Sequence, residues 1–103
     1  MTEMSFAMRL SRLRMRKGVS AREMSLALGQ NASYINNIEL GKSKPSMDVF
    51  LYICEYLEIT PAEFGDFESS DPVRLRSIIA DMKSLNDEQL AVIAKLVKDL
   101  AKR

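Results

Sequence analysis

Histidine is absent from this 103-residue chain, and cysteine occurs once, at Cys54. These two facts remove the commonest routes to catalysis. No Ser–His or Cys–His arrangement can be assembled, and zinc would lack its usual thiolate and imidazole ligands. The four glycines, Gly18, Gly29, Gly41 and Gly65, are scattered instead of gathered into a loop that could cradle phosphate. Acidic residues in the last half show no calcium-loop spacing. Cys54 falls on an apolar helical face, the place of a small core residue. Redox sensing through it would need an intermolecular bridge. The reading is therefore not an enzyme, with no metal and no cofactor.

The chemistry that remains is charge. Net charge is only +1, but its distribution is uneven. Residues 1–46 carry eight Lys/Arg (Arg9, Arg12, Arg14, Arg16, Lys17, Arg22, Lys42, Lys44) against Glu3, Glu23 and Glu39, whereas residues 47–103 carry seven basic and eleven acidic residues. One end could neutralise phosphates and the other would be repelled by them. Two solvated faces of opposite sign would give the same count. A hydrophobic fraction of 47% with 28% charged residues fits a soluble globular chain. No apolar run reaches the roughly 18 residues of a membrane span. Residues 1–12 lack a basic segment followed by a long apolar one, so a cytoplasmic protein is expected.

The elements that must position these charges are helices. Ser20 and Glu23 make a capping box, with Met24, Ala27 and Leu28 on one face behind it. Gly29 ends that helix, Gln30 and Asn31 turn the chain, and Asn31 is expected to cap the next helix. Ile35 and Ile38 form the inner face of that third helix, and Gly41 stops it. Ahead of them, Phe6, Leu10 and Leu13 mark a helix from about Ser5 to Lys17, with Arg9, Arg12 and Arg16 on other faces and read as solvated. Ser46 caps a fourth helix with Phe50, Ile53, Cys54 and Leu57 inward. Thr60-Pro61-Ala62-Glu63 starts a short fifth, with Phe64 inward.

The ordered set Leu13-Arg14, Gly18, Ser20-x-x-Glu23-Met24, Gly29, Ile35-x-x-Ile38-Glu39-x-Gly41, Pro45 and Ile53…Leu57-x-Ile59 resembles the helix-turn-helix of the Cro/lambda-repressor-like family. The resemblance runs from about Leu10 to Phe64. It implies an all-α fold, a five-helix lambda-repressor-like DNA-binding domain over residues 1–67. It also implies a sequence-specific, double-stranded DNA-binding transcriptional regulator, a repressor acting as a homodimer.

The family places its third helix in the major groove. Carried over, the base-facing residues are Ala32, Ser33, Tyr34, Asn36 and Asn37. Asn can bond bidentately to adenine, Ser can donate or accept, and Ala can meet a thymine methyl. For Tyr34, base contact, phosphate contact and packing stay open. Phosphate contacts carry over to Arg22 and to Lys42, Ser43 and Lys44. Ala21 departs from the usual Gln, Ser25 stands where Ala is common, and Gln30 stands where a core Val is usual. Arg9, Arg12 and Arg16 have DNA contact as their alternative to solvation. The resemblance pairs Arg14 with Glu39 in a shielded salt bridge.

Beyond a polar, acidic linker at 65–71, two amphipathic helices form a C-terminal helical hairpin in residues 68–103. Leu75, Ile78, Ile79, Met82 and Leu85 stripe the first, and Leu90, Ile93, Leu96, Val97 and Leu100 the second. Asn86 and Gln89 form a capping box between them. Leftover apolar area leaves three fates open: docking in cis, a homodimer through Leu75, Ile79, Met82, Leu90, Ile93, Leu96, Val97 and Leu100, or another protein. A toxin is one such partner, which would make the chain the antitoxin of a toxin–antitoxin pair that autoregulates its operon. A module keeping the helix-turn-helix only as scaffold is the remaining alternative.

Overall fold

The computed structural model describes residues 5–102. These form seven helices: α1 (Phe6–Lys17), α2 (Ala21–Ala27), α3 (Tyr34–Glu39), α4 (Met47–Leu57), α5 (Pro61–Gly65), α6 (Pro72–Met82) and α7 (Asp87–Ala101). No strand occurs among the described residues.

The starts are set by side-chain caps. The hydroxyls of Ser5, Ser20, Ser46 and Thr60 accept from the N–H groups of Met8, Glu23, Val49 and Glu63. At Ser20 and Thr60 the glutamate three residues on returns the bond, closing both capping boxes. Gly29 (φ 75°) and Gly41 (φ 77°) take the left-handed conformation that lets the chain leave α2 and α3 without a Cβ clash. Helix α4 ends the same way on a non-glycine residue, Glu58, at φ 60°.

The helices α1 to α5 close on one core. Leu10 and Leu13, Met24, Ile35 and Ile38, Ile53, Cys54 and Leu57, Ile59 and Phe64 are all buried in it. At one edge Phe6, Phe50 and Phe64 pack as a trio, with ring centroids 5.0–5.8 Å apart. Phe50 and Phe64 meet edge to face, at an interplanar angle of 84°, which adds to the burial term.

Arg9 corrects the sequence reading. It is not solvated but 1% exposed, on the inner side of α1. Its guanidinium donates to four main-chain carbonyls: Nε to Phe64 at 2.7 Å, Nη1 to Ser69 at 2.7 Å, and Nη2 to Glu63 at 2.8 Å and Asp66 at 2.9 Å. Burial pulls its pKa down, partly opposed by the Asp66 carboxylate. Phe67 lies over the guanidinium at 5.7 Å. The segment expected as a linker is therefore fastened to α1 at two of its carbonyls. The compact unit correspondingly extends past residue 67, to Val73, and a second unit begins at Arg74.

In the second unit, Asn86 and Gln89 form the capping box that starts α7. The turn before it is held by Ser84 Oγ donating to the Asp81 carbonyl at 2.8 Å. The hairpin helices do not close each other's stripes. Met82, Leu85 and Ile93 are half-buried, but α7 contains no buried residue. Leu96 is 53% exposed, Val97 55% and Leu100 76%.

Candidate nucleic-acid interface

The short helix α3 has no side-chain cap of its own at Ser33. The expected Asn31 cap is replaced by a local turn. Asn31 Oδ1 accepts from the Ser33 N–H at 3.1 Å and the Ser33 hydroxyl at 3.0 Å, while its carbonyl accepts from the Tyr34 N–H at 3.1 Å. Ala32 and Ser33 therefore lie in the turn that leads into α3, not on the helix. An Asn carboxamide so placed stabilises a turn as readily as a helix start, and here the turn wins.

The cap comes instead from α2. Ser25, fully buried, donates its hydroxyl to the Ala21 carbonyl at 2.7 Å and accepts the Ile35 N–H at 2.9 Å. One hydroxyl thus satisfies a buried donor at the start of α3 and fixes its distance from α2. An alanine there would fit the space but leave the Ile35 N–H unpaired. The local signal was a serine on the buried face of a helix with no polar neighbour in sequence to explain it.

The other end of α3 is held by α1. Arg14 Nε donates to Glu39 Oε2 at 2.7 Å and Nη2 to Oε1 at 2.9 Å, a bidentate pair. The third arm, Nη1, donates to the Val19 carbonyl at 2.9 Å. The side chains are 15% and 11% exposed, and the Glu39 hydrogen bonds raise the pKa of Arg14 against the opposing cost of burial. Arg14 thereby pins α3 to the α1–α2 corner.

What α3 leaves outward is a narrow polar face. Asn36 and Ser33 are exposed; Ala32 and Asn37 are half-buried. Tyr34 is also half-buried and packs on the core, and burial raises its phenol pKa. Packing thus accounts for part of the tyrosine's area, the reading the sequence left open beside base and phosphate contact. The loop after α3 is closed by the Lys42 N–H on the Asn37 carbonyl at 2.9 Å, and Lys42, Ser43 and Lys44 are all exposed there. Arg22 is exposed in the first turn of α2. Gln30, half-buried, donates its N–H to the Ser25 carbonyl, so its backbone serves the turn. Of the α1 arginines, Arg12 and Arg16 stay outside while Arg9 is consumed by the core.

No helix among the described residues is long and apolar enough to cross a membrane, and no group of metal-ligating side chains occurs among them. A two-helix unit braced by a third, presenting polar side chains flanked by cations, is the architecture of a DNA-binding helix-turn-helix domain. A helix-turn-helix family model matches residues 10–64, over half the chain. The chain belongs to this family, the Cro/lambda-repressor-like helix-turn-helix proteins, and is a DNA-binding regulator of that general kind. No curated protein and no solved structure matches it.

Proposed function

We propose that the chain is a sequence-specific transcriptional repressor that binds a two-fold symmetric operator as a homodimer, with α3 in the major groove. The observation that carries this reading is the double anchoring of α3. Its start is capped by Ser25 and its end is clamped by Arg14, so Ser33, Asn36 and Asn37 are presented from a fixed backbone. Fixed presentation is what base-edge readout requires, because bidentate pairs to bases are geometrically exacting. Ala32 and Tyr34 complete the face beside them. Arg22, Lys42, Ser43 and Lys44 flank it and contact phosphates, which sets register on the duplex without reading sequence. Repression follows by occlusion, which asks nothing further of a small chain.

Neither Arg nor Lys, the usual guanine readers, lies on α3. The directly read base pairs are therefore A·T, read by Asn36 and Asn37 at adenine N6 and N7. The test is selection of bound duplexes from a random library, followed by footprinting. Two half-sites about one helical turn apart, with A·T at the central contacts, are the expected result. A G·C-rich consensus there overturns the readout, and no selectable consensus overturns sequence-specific regulation. Co-purification of a neighbouring gene product on the hairpin would instead favour the antitoxin reading.

A further inference from the structure

Between α1 and the segment that follows α5 lies an open cleft of about 600 Å³, a volume within the usual range of small-molecule sites. The DNA-binding face does not include it. One wall is the outer side of α1; the other is the chain around Phe67 and Glu68. That second wall is preformed, because Arg9 lines the cleft and ties down the carbonyls of Glu63, Phe64, Asp66 and Ser69. On α1, Arg12 and Arg16 stand one turn apart and exposed. Among the described residues neither has an ion-pair partner. Glu68 is the one carboxylate that the described residues place on the lining, so the cleft keeps a positive excess. Apolar groups lie beside the cations. Phe67 is 39% exposed although its ring meets the Arg9 guanidinium at 5.7 Å, and Met15 is 60% exposed, so both have area left to cover.

We propose that this cleft binds a small aromatic anion, its carboxylate or phosphate held by Arg12 and Arg16 and its ring set against Phe67 and Met15. Guanidiniums one turn apart can grip a carboxylate or a phosphate from two sides through charge-assisted hydrogen bonds. A phenyl ring and a thioether both favour aromatic surface. Other occupants use only part of the lining. Inorganic phosphate would leave Phe67 and Met15 in water, a neutral ring would leave both guanidiniums without a partner, and a metal cation would be repelled. The site does not depend on the operator or homodimer reading. An occupied cleft would join α1 to the chain around Phe67 a second time, beside the Arg9 bonds.

The test uses the full chain with isotope-labelled methionine methyls, titrated with benzoate and with phenyl phosphate and followed by NMR. A ring seated in the cleft displaces the Met15 methyl resonance through its ring current. The expected result is a saturable Met15 shift with half-saturation at about millimolar concentration, the affinity open to ligands of this size; the tighter of the two probes tells phosphate from carboxylate. Arg12→Gln and Arg16→Gln should each weaken binding about three- to tenfold, and Phe67→Leu should weaken it too. Unchanged melting curves for the two arginine variants establish that they lose a ligand contact and not the fold. Benzyl alcohol, the same ring without the charge, should leave Met15 in place. An equal shift with benzyl alcohol, or a shift that survives both arginine replacements, overturns the proposal. Inorganic phosphate that displaces phenyl phosphate at equal concentration also overturns it, by reducing the site to an anion cup. If neither anion moves Met15 at about 20 mM but a random-sequence duplex does, the arginines belong to DNA phosphate and the proposal falls while DNA binding stands; no shift with any of them removes the site outright.

Discussion

Arg14 and Arg9 look alike in the sequence, two arginines on one helix, and the fold uses them for opposite purposes. Arg14 meets a charged partner, Glu39, and locks α3. Removing the carboxylate leaves a guanidinium in a largely shielded site. Glu39→Ala should therefore cost about 3 kcal/mol, read as a lowered melting temperature together with lost DNA binding; an unchanged melting temperature would contradict the shielding. Arg9 hydrogen-bonds instead to four main-chain carbonyls. A lysine could not span that fork, since its ammonium is a single point donor. Arg9→Lys should destabilise nearly as much as Arg9→Ala, whereas Arg12→Ala on the same helix should be almost silent in a melting curve. Cys54 is a third residue whose role is packing: burial pushes its thiol pKa up. The thiol thus stays neutral near pH 7 and should resist maleimide until the domain unfolds. Its contribution to stability is intact below the ordinary thiol value of 9.0 and falls as pH rises through the elevated one.

Helix boundaries were largely legible in the sequence, because caps are local. The capping boxes at Ser20, Thr60 and Asn86 each join residues three apart, and a linear reading finds them. What could not be read locally is what reaches across the fold. Ser25 caps a helix ten residues away, and the Arg9 bonds span 54 to 60 residues. Those partners are backbone groups with no side-chain signature, so nothing in the sequence advertises them. The start of α3 failed for a related reason: Asn31 can serve a turn or a cap, and Ser25 had already taken the cap. At this scale α4 offers a prediction. It ends on Glu58 in the left-handed region, where a side chain costs roughly 1 kcal/mol relative to glycine. The carboxylate's exposed ion pair with Lys17, 3.6 Å long, offsets little of that. Glu58→Gly should raise the melting temperature by a few degrees; a fall would mean that the Lys17 contact outweighs the backbone.

At the scale of the whole molecule, the uneven charge of the two halves fixes how binding should respond to salt. In the proposed homodimer, with Arg22, Lys42 and Lys44 of each copy on phosphates, log K against log salt should fall with a slope of about −5. Lys42→Ala should flatten it by about 2 and weaken every sequence alike, whereas Asn36→Ala should leave the slope unchanged and relax base preference. Isothermal or fluorescence titrations at three salt concentrations read both quantities.

The four carbonyls gripped by Arg9 also impose an order of events on synthesis. Arg9 is made early, but its acceptors follow 54 to 60 residues later. At about 5–20 residues per second that is a wait of several seconds. Throughout it the guanidinium must find its hydrogen bonds in water, while Leu10 and Leu13 lie on the same inner side of the helix. The set of bonds that holds the inner side of α1 is thus complete only once residue 69 has left the ribosome.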